Sequence, residues 1–214
     1  MLKYQNYFMI LICISILASV TCAYAEEEIE DLIDIAESKN KLIAIIEGRN
    51  TTAIHLKKNE KVLWSSARGD LGAFLTNRRF LVITTSVASW QILPLNLDES
   101  EKSLALLSPY IALLVTGDRA VAFDAASDRF IEARLPIRDE LFAAKAEKYV
   151  AVVITSSRAF GFATKTTAFV EFPLRGRESI EAVKTTSSKS TIRTSDRLLT
   201  FEVRRATWYE HRLH

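Results

Sequence analysis

The sequence predicts an all-β chain: a five-bladed β-propeller, closed by pairing an N-terminal strand with the three C-terminal strands. Three observations predict it. One unit of about 39 residues recurs along the chain. Each copy reads as four short strands separated by polar turns. The two ends of the chain carry fragments that together make one more copy.

Taken in order, residues 1–25 read as a signal peptide. MLKYQNY carries one Lys, the run Phe8–Val20 is apolar, and Ala23-Tyr24-Ala25 fits a cleavage site. The apolar run falls short of the roughly 20 residues a membrane-crossing helix needs. After cleavage no stable membrane span is expected, and the location is periplasmic or secreted; the alternative is a chain tethered by an uncleaved N-terminal segment. Cys13 and Cys22 both lie in this leader, so the mature chain has no cysteine and no disulfide. Cys22 follows Ser-Val-Thr, a poor lipidation context, and its lipidation stays open. Residues 26–30 form an acidic leader. From Glu26 to Glu37 there are seven acids and no base, and the remainder carries 27 Lys and Arg against 19 Asp and Glu.

The propeller domain spans 31–214, with blades starting at about 41, 71, 110, 149 and 190. Asp31–Glu37 is expected as a strand that completes the last blade. The blade from Lys41 is shortened, lacking a strand between Gly48 and Thr51. Four marker series fix the period. Threonine recurs at Thr76, Thr116, Thr155 and Thr194; arginine at Arg79, Arg119, Arg158 and Arg197. A large aromatic recurs at Trp90, Phe130, Phe169 and Trp208, and leucine at Leu95, Leu135, Leu174 and Leu213. All four series step by 40, 39 and 39 residues. An acid precedes each threonine: Glu60, Glu101, Glu140 and Glu178.

Alternation along a strand assigns faces. Arg158, Phe160 and Phe162 share one side of their strand; Ala159, Gly161 and Ala163 share the other. A large face on one blade meeting a small face on the next lets the sheets nest. This pattern of TxxR, aromatic, Leu and Glu behind a signal peptide resembles a group of small exported bacterial β-propeller proteins without assigned activity. The resemblance covers Asp31–Leu213. It implies the fold and export but no particular function, because propellers host many roles.

Two readings of the arginines stay open. Arg79, Arg119, Arg158 and Arg197 form a ring by symmetry, suited to carboxylates, phosphates or acidic glycans. Alternatively each pairs with a repeated acid, such as Glu101, Glu140 or Glu178, and locks a blade corner. Trp90 and Trp208 sit where other copies have Phe and read as core. Trp64 has no counterpart and is the candidate for an exposed ligand-stacking platform.

Catalytic patterns are absent from the sequence. The three histidines, His55, His211 and His214, have no metal spacing, and there is no phosphate loop or G-x-S-x-G elbow. The chain is expected to be no enzyme and to use no cofactor or metal. A net charge of +2 predicts no nucleic-acid partner. The expected function is a non-catalytic interaction or scaffold module with a protein partner. The alternative is a lectin-like or anion-binding propeller taking a glycan or anionic small molecule, and a hydrolase comes third. The shortened blade, where the symmetry breaks, is the place to look for a cleft.

Overall fold

A computed structural model describes residues 29–49, 51–176 and 178–213. The expected signal peptide and residues 26–28 of the acidic leader lie outside the described residues. The chain divides into two units, 1–30 and 31–214, and the second holds every described strand.

That unit is five antiparallel sheets, each a meander in chain order. The first has three strands: β1 (Ile33–Ser38), β2 (Lys41–Ile46) and β3 (Thr52–His55). The second has β4 (Val62–Arg68), β5 (Leu71–Thr76), β6 (Arg79–Thr84) and β7 (Gln91–Pro94). The third has β8 (Leu104–Leu107), β9 (Ile111–Val115), β10 (Arg119–Asp124) and β11 (Arg129–Arg134), entered through a 3-10 turn at Ser100–Lys102. The fourth has β12 (Leu141–Glu147), β13 (Val150–Thr155), β14 (Arg158–Ala163) and β15 (Val170–Pro173). The fifth has β16 (Ile180–Thr185), β17 (Lys189–Thr194), β18 (Arg197–Glu202) and β19 (Thr207–Arg212).

The all-β class and the five-fold repeat stand, but the phase of the repeat differs from the sequence reading. The strands near 71, 110, 149 and 190 are each second in their sheet. The strand expected to end a blade opens the next one, as β16 does by pairing with β17 and β12 by pairing with β13. Turn length is the cause. Gly69-Asp70 and Lys148-Tyr149 are two-residue turns, which force their flanking strands to pair. The links between sheets run six to nine residues, long enough to cross to a new sheet.

The pairing of an N-terminal strand with the three C-terminal strands is therefore corrected. β1 pairs with β2 over its whole length, through a turn in which Lys39 takes φ 51°. The fifth sheet already has its fourth strand in β16. The shortened blade is the first sheet, yet its deficit is not between Gly48 and Thr51. One hydrogen bond fixes the equivalences. The Leu56 amide donates to the Asn40 carbonyl just as Leu95 does to Arg78, Leu135 to Asp118, Leu174 to Ser157 and Leu213 to Asp196. Thus β1 corresponds to β5, β9, β13 and β17, and β3 to the last strands. Among the described residues, the first sheet has no first strand.

The sheets stack in chain order and converge on their first strands, with β4, β8, β12 and β16 in sequential contact. β5 and β6, β9, and β13 are buried residue for residue, because sheets cover both their faces. β2, β17 and β18 alternate instead, with one face in the core. The other face of β2 carries Lys41, Ile43 and the half-exposed Ile45, and that of the fifth sheet carries Thr191, Arg193, Leu198 and Thr200. The fifth sheet's outer face is the more polar, as at the capped end of a repeat array. Large-into-small nesting is visible at Gly161, where an added Cβ would meet the Phe201 ring at 2.5 Å. Phe160 and Phe162 point the other way, into the core between the third and fourth sheets.

Candidate functional site

The repeated arginines occupy the joints between sheets. Arg79 opens β6 and faces Glu60, which stands in the loop arriving from the first sheet. Arg79 Nε donates to Glu60 Oε1 at 2.8 Å, and Nη2 to Oε2 at 2.9 Å. Nη2 also donates to the His55 carbonyl at 2.9 Å, at the end of β3. One guanidinium thus holds the incoming loop and the last strand of the preceding sheet. The Thr76 hydroxyl completes the corner by donating to Glu60 Oε1 at 2.7 Å and accepting the Arg79 amide at 2.9 Å.

The device recurs twice. Arg119 Nε and Nη2 donate to Glu99 at 2.6 and 2.8 Å, and Nη2 to the Pro94 carbonyl at 3.2 Å. Arg197 Nε and Nη2 donate to Glu178, both at 2.7 Å, and Nη2 to the Pro173 carbonyl at 3.1 Å. Their Nη1 atoms take Glu132 and Glu210, each at 3.0 Å. Burial pushes the Glu178 carboxyl up, but the Arg197 fork, the Thr194 hydroxyl and the Arg175 amide outweigh it and hold it at about 2. Glu60 is lowered in the same way: burial opposes ionisation, and Arg79, Lys57 and Thr76 overcome it. The Glu99 and Glu178 hydrogen bonds in turn raise Arg119 and Arg197.

Of the four repeated acids, Glu60 and Glu178 take that place. Glu99 stands in for Glu101, because the 3-10 turn inserts one extra residue after it. Asp139 stands in for Glu140, sixteen positions before Thr155 as Glu60 is before Thr76 and Glu178 before Thr194. At this joint the arginine is missing. Asp139 accepts from the Thr155 and Ser157 hydroxyls at 2.5 Å each. Burial raises its pKa and these hydroxyls bring it below the usual carboxylate range. Arg158 turns outward to Glu171 at 2.6 Å, with its side chain 49% exposed. The shorter Asp side chain and the competing hydroxyls explain the change.

As an anion ring the series has little to offer. Arg79 and Arg197 are buried, and the Nε, Nη1 and Nη2 groups of Arg119 and Arg197 are all engaged. Trp64 is not an exposed platform: it is half-buried and packs into the core between the second and third sheets. Its position beside the Val62/Trp64 bulge turns it toward the third sheet. Trp90 and Trp208 lie in core clusters, and Trp208 Nε1 donates to the Val170 carbonyl at 2.9 Å.

Two features escaped the sequence reading. At the clasp end of the stack, Leu97 and Ile137 are 97% and 92% exposed. Each sits two positions before the clasp carboxylate, in adjacent sheet-to-sheet loops. Leu63, Leu104, Leu141 and Phe142, exposed at the starts of β4, β8 and β12, lie at the same end. At the opposite end a cleft of about 270 Å³ opens among the hairpin turns of the second to fourth sheets. Tyr110 and Tyr149 stack there with ring centroids 5.2 Å apart and planes within 4°. Asp70, Thr85, Thr164 and Lys165 complete its wall. A mean spacing near 39 places Tyr110 and Tyr149 at one repeat position, a signal the four marker series did not use.

Among the described residues, no three His, Cys, Asp or Glu side chains gather as metal ligands, and no helix is long and apolar enough to cross a membrane. No protein-family model matches the chain, and neither does any curated protein. Solved structures similar to it include Prp20p from Saccharomyces cerevisiae, at 9% identity and TM-score 0.43 over 80% of this chain and 56% of that one. Hsv2 from Kluyveromyces lactis follows at 9% identity and TM-score 0.39, over 85% of this chain and 61% of that one. The Pan2 WD40 domain from Neurospora crassa matches at 12% identity and TM-score 0.34, over 85% of this chain and 62% of that one. The chain thus spans less than two thirds of the length of each of these structures.

Proposed function

We propose that this chain is an exported, non-catalytic interaction module: a propeller-type array of five blades that holds a protein partner at its clasp end. The observation that carries the reading is the pair Leu97 and Ile137. Two fully exposed aliphatic side chains at equivalent loop positions, above exposed Leu104, Leu141 and Phe142, are unusual on a surface with no partner. The Arg119–Glu99 clasp holds the Leu97 loop, and the Thr155 and Ser157 hydroxyls on Asp139 tie down the Ile137 loop, so the pair is presented at little ordering cost. Export rests on the Ala23-Tyr24-Ala25 cleavage pattern.

The test is affinity capture from the envelope fraction of an expressing bacterium, with the chain immobilised. The double variant Leu97→Asp, Ile137→Asp is expected to lose at least about tenfold of the captured partner, as for interface centres. Its melt should stay unchanged, since neither side chain is buried. Equal capture by variant and parent refutes the reading. A neutral glycan is the second reading, favoured by the Tyr110–Tyr149 cleft rather than by Trp64 or the arginines.

A further inference from the structure

Among the described residues, the first sheet has no counterpart of the strand on which the other four converge, and the place is marked by one residue. Ser65 pairs with Phe74 on β4 and β5. Its equivalents are Ala105, paired with Leu114, Ala144, paired with Val153, and Val183, paired with Ile192. Each of those three packs into the core against the preceding sheet, and Ala105 is only 8% exposed. Ser65 is exposed, because no first strand precedes it. The neighbouring wall of this berth is β1, which occupies an inner position yet, among the described residues, pairs with no strand on its inner side.

β1 also departs in charge. Glu37 stands where the next three sheets have Leu75, Val115 and Ile154, each no more than 3% exposed. Asp34 and Glu37 are both exposed, and β1 carries no base. An edge strand with free backbone groups templates pairing with another chain. The leader Glu26–Glu30 has four glutamates in five residues, the same sign of charge as the acids of β1, so charge complementarity favours a basic segment instead.

We infer that the berth between β1 and Ser65 of β4 receives an extended, Lys- or Arg-bearing segment of a partner polypeptide, which adds to the first sheet as its fourth strand. The sheet geometry supplies the backbone pairing, Asp34 and Glu37 select the charge, and small Ser65 leaves room for one apolar side chain facing the second sheet. In the other sheets that role falls to Trp64, Leu106 and Ala143, half-buried on their first strands. Ser65 tolerates water when the berth is empty, as Ala or Val in a covered position need not. The berth is separate from Leu97 and Ile137, and rests on the interaction-module reading only in taking a polypeptide.

The probe is a nine-residue peptide copying residues 140–148, ELFAAKAEK, with Glu147→Lys, since this stretch already folds as a first strand. Backbone NMR and amide exchange on the purified chain read its binding. Three results are expected. In the free chain the amides of β1 exchange faster than those of β5. The peptide shifts β1 and β4 resonances and slows β1 exchange. A version with Lys145 and Lys148 replaced by Glu binds about tenfold more weakly, the value of two exposed charge pairs. Asp34→Lys should narrow that preference, and Ser65→Arg should abolish binding while the circular dichroism spectrum is kept. The rim variant Leu97→Asp, Ile137→Asp should bind the peptide normally, so failure of the rim leaves the berth standing. The inference is overturned by β1 amides as slow as those of β5 in the free chain, whether a second copy or the leader fills the place. It is equally overturned by no shift at about 1 mM peptide, by shifts confined to the outer strands, or by equal affinity for the acidic version.

Discussion

Replacing Glu178 by Gln keeps the volume of the fifth-sheet clasp and removes its charge. The Glu178 side chain is fully buried against Arg197, whose own side chain is 4% exposed, so solvent screens the pair little. A carboxyl held at about 2 instead of 4.5 is stabilised on folding by about 3 kcal/mol, at 1.36 kcal/mol per pH unit. Arg197 keeps Glu210 and the Pro173 carbonyl in the variant, which limits the penalty of a stranded charge. The expected loss is about 3 kcal/mol at neutral pH, at the lower end for a broken buried pair. The pH dependence has a definite sign. The folded-state pKa is depressed, so this stability is present above the unfolded pKa and is lost as pH falls from 4.5 through about 2. Urea melts of parent and Glu178→Gln at pH 7 and at about pH 3 measure it. The gap between the two proteins should shrink to less than half on going to about pH 3. A gap that stays constant with pH, or one under about 1 kcal/mol at neutral pH, refutes the assignment of Glu178 as a charged clasp.

Two contrasts extend this. Arg197→Ala should cost about 3 to 5 kcal/mol in a urea melt, and Arg158→Ala under about 1, because the second arginine holds only an exposed pair with Glu171. Equal losses would mean that position in the repeat, not pairing, sets the cost. Gly161→Ala should destabilise by about 1 to 3 kcal/mol, since the new methyl meets the Phe201 ring and the two sheets must separate; a neutral melt would show that the nesting is loose.

What the sequence disclosed and what it hid have different physical origins. The period is visible because every copy must bury the same faces, so Thr, Arg and the aromatic recur in step. The phase is not visible in a period, which reads the same from any starting strand. Only the lengths of turns decide it, and Gly69-Asp70 or Lys148-Tyr149 carry that information in two residues each. The expectation that Asp31–Glu37 completes the last blade failed for the same reason: it took β1 for the strand that ends a repeat, while the Leu56–Asn40 bond makes it a second strand. The acid partners were missed by one or two positions because neighbouring acids stand in the same loop. Glu101 and Glu140 carry the same carboxylate group as Glu99 and Asp139; the loop path alone selects between them. Leu97 and Ile137 fall outside any hydrophobic periodicity, and exposed single aliphatics have no sequence signature.

The joint between the third and fourth sheets is the one clasp-end joint without an arginine, and it raises the question of what holds it. At the opposite end Asp124, fully buried at the end of β10, supplies an answer. Its Oδ2 accepts the Lys165 amide of the fourth sheet at 3.0 Å and the Ser127 hydroxyl at 2.7 Å; Oδ1 accepts the Ala126 amide at 3.2 Å. The Tyr110–Tyr149 stack crosses the same joint. Ala163 holds the equivalent position in the fourth sheet and can do none of this, but the next joint has the Arg197 clasp. Each of the two joints is thus pinned at one end, and the pins alternate. Asp124→Ala strands three donors in a fully buried site and should cost about 3 kcal/mol, against about 1 for Asp139→Ala, which also loses three donors, the Thr155 and Ser157 hydroxyls and the Ser157 amide, but at a half-buried site that water can reach. Chemical melts of the two variants compare them directly. If Asp139→Ala proves the costlier, the joint is held at the clasp end after all, without its arginine.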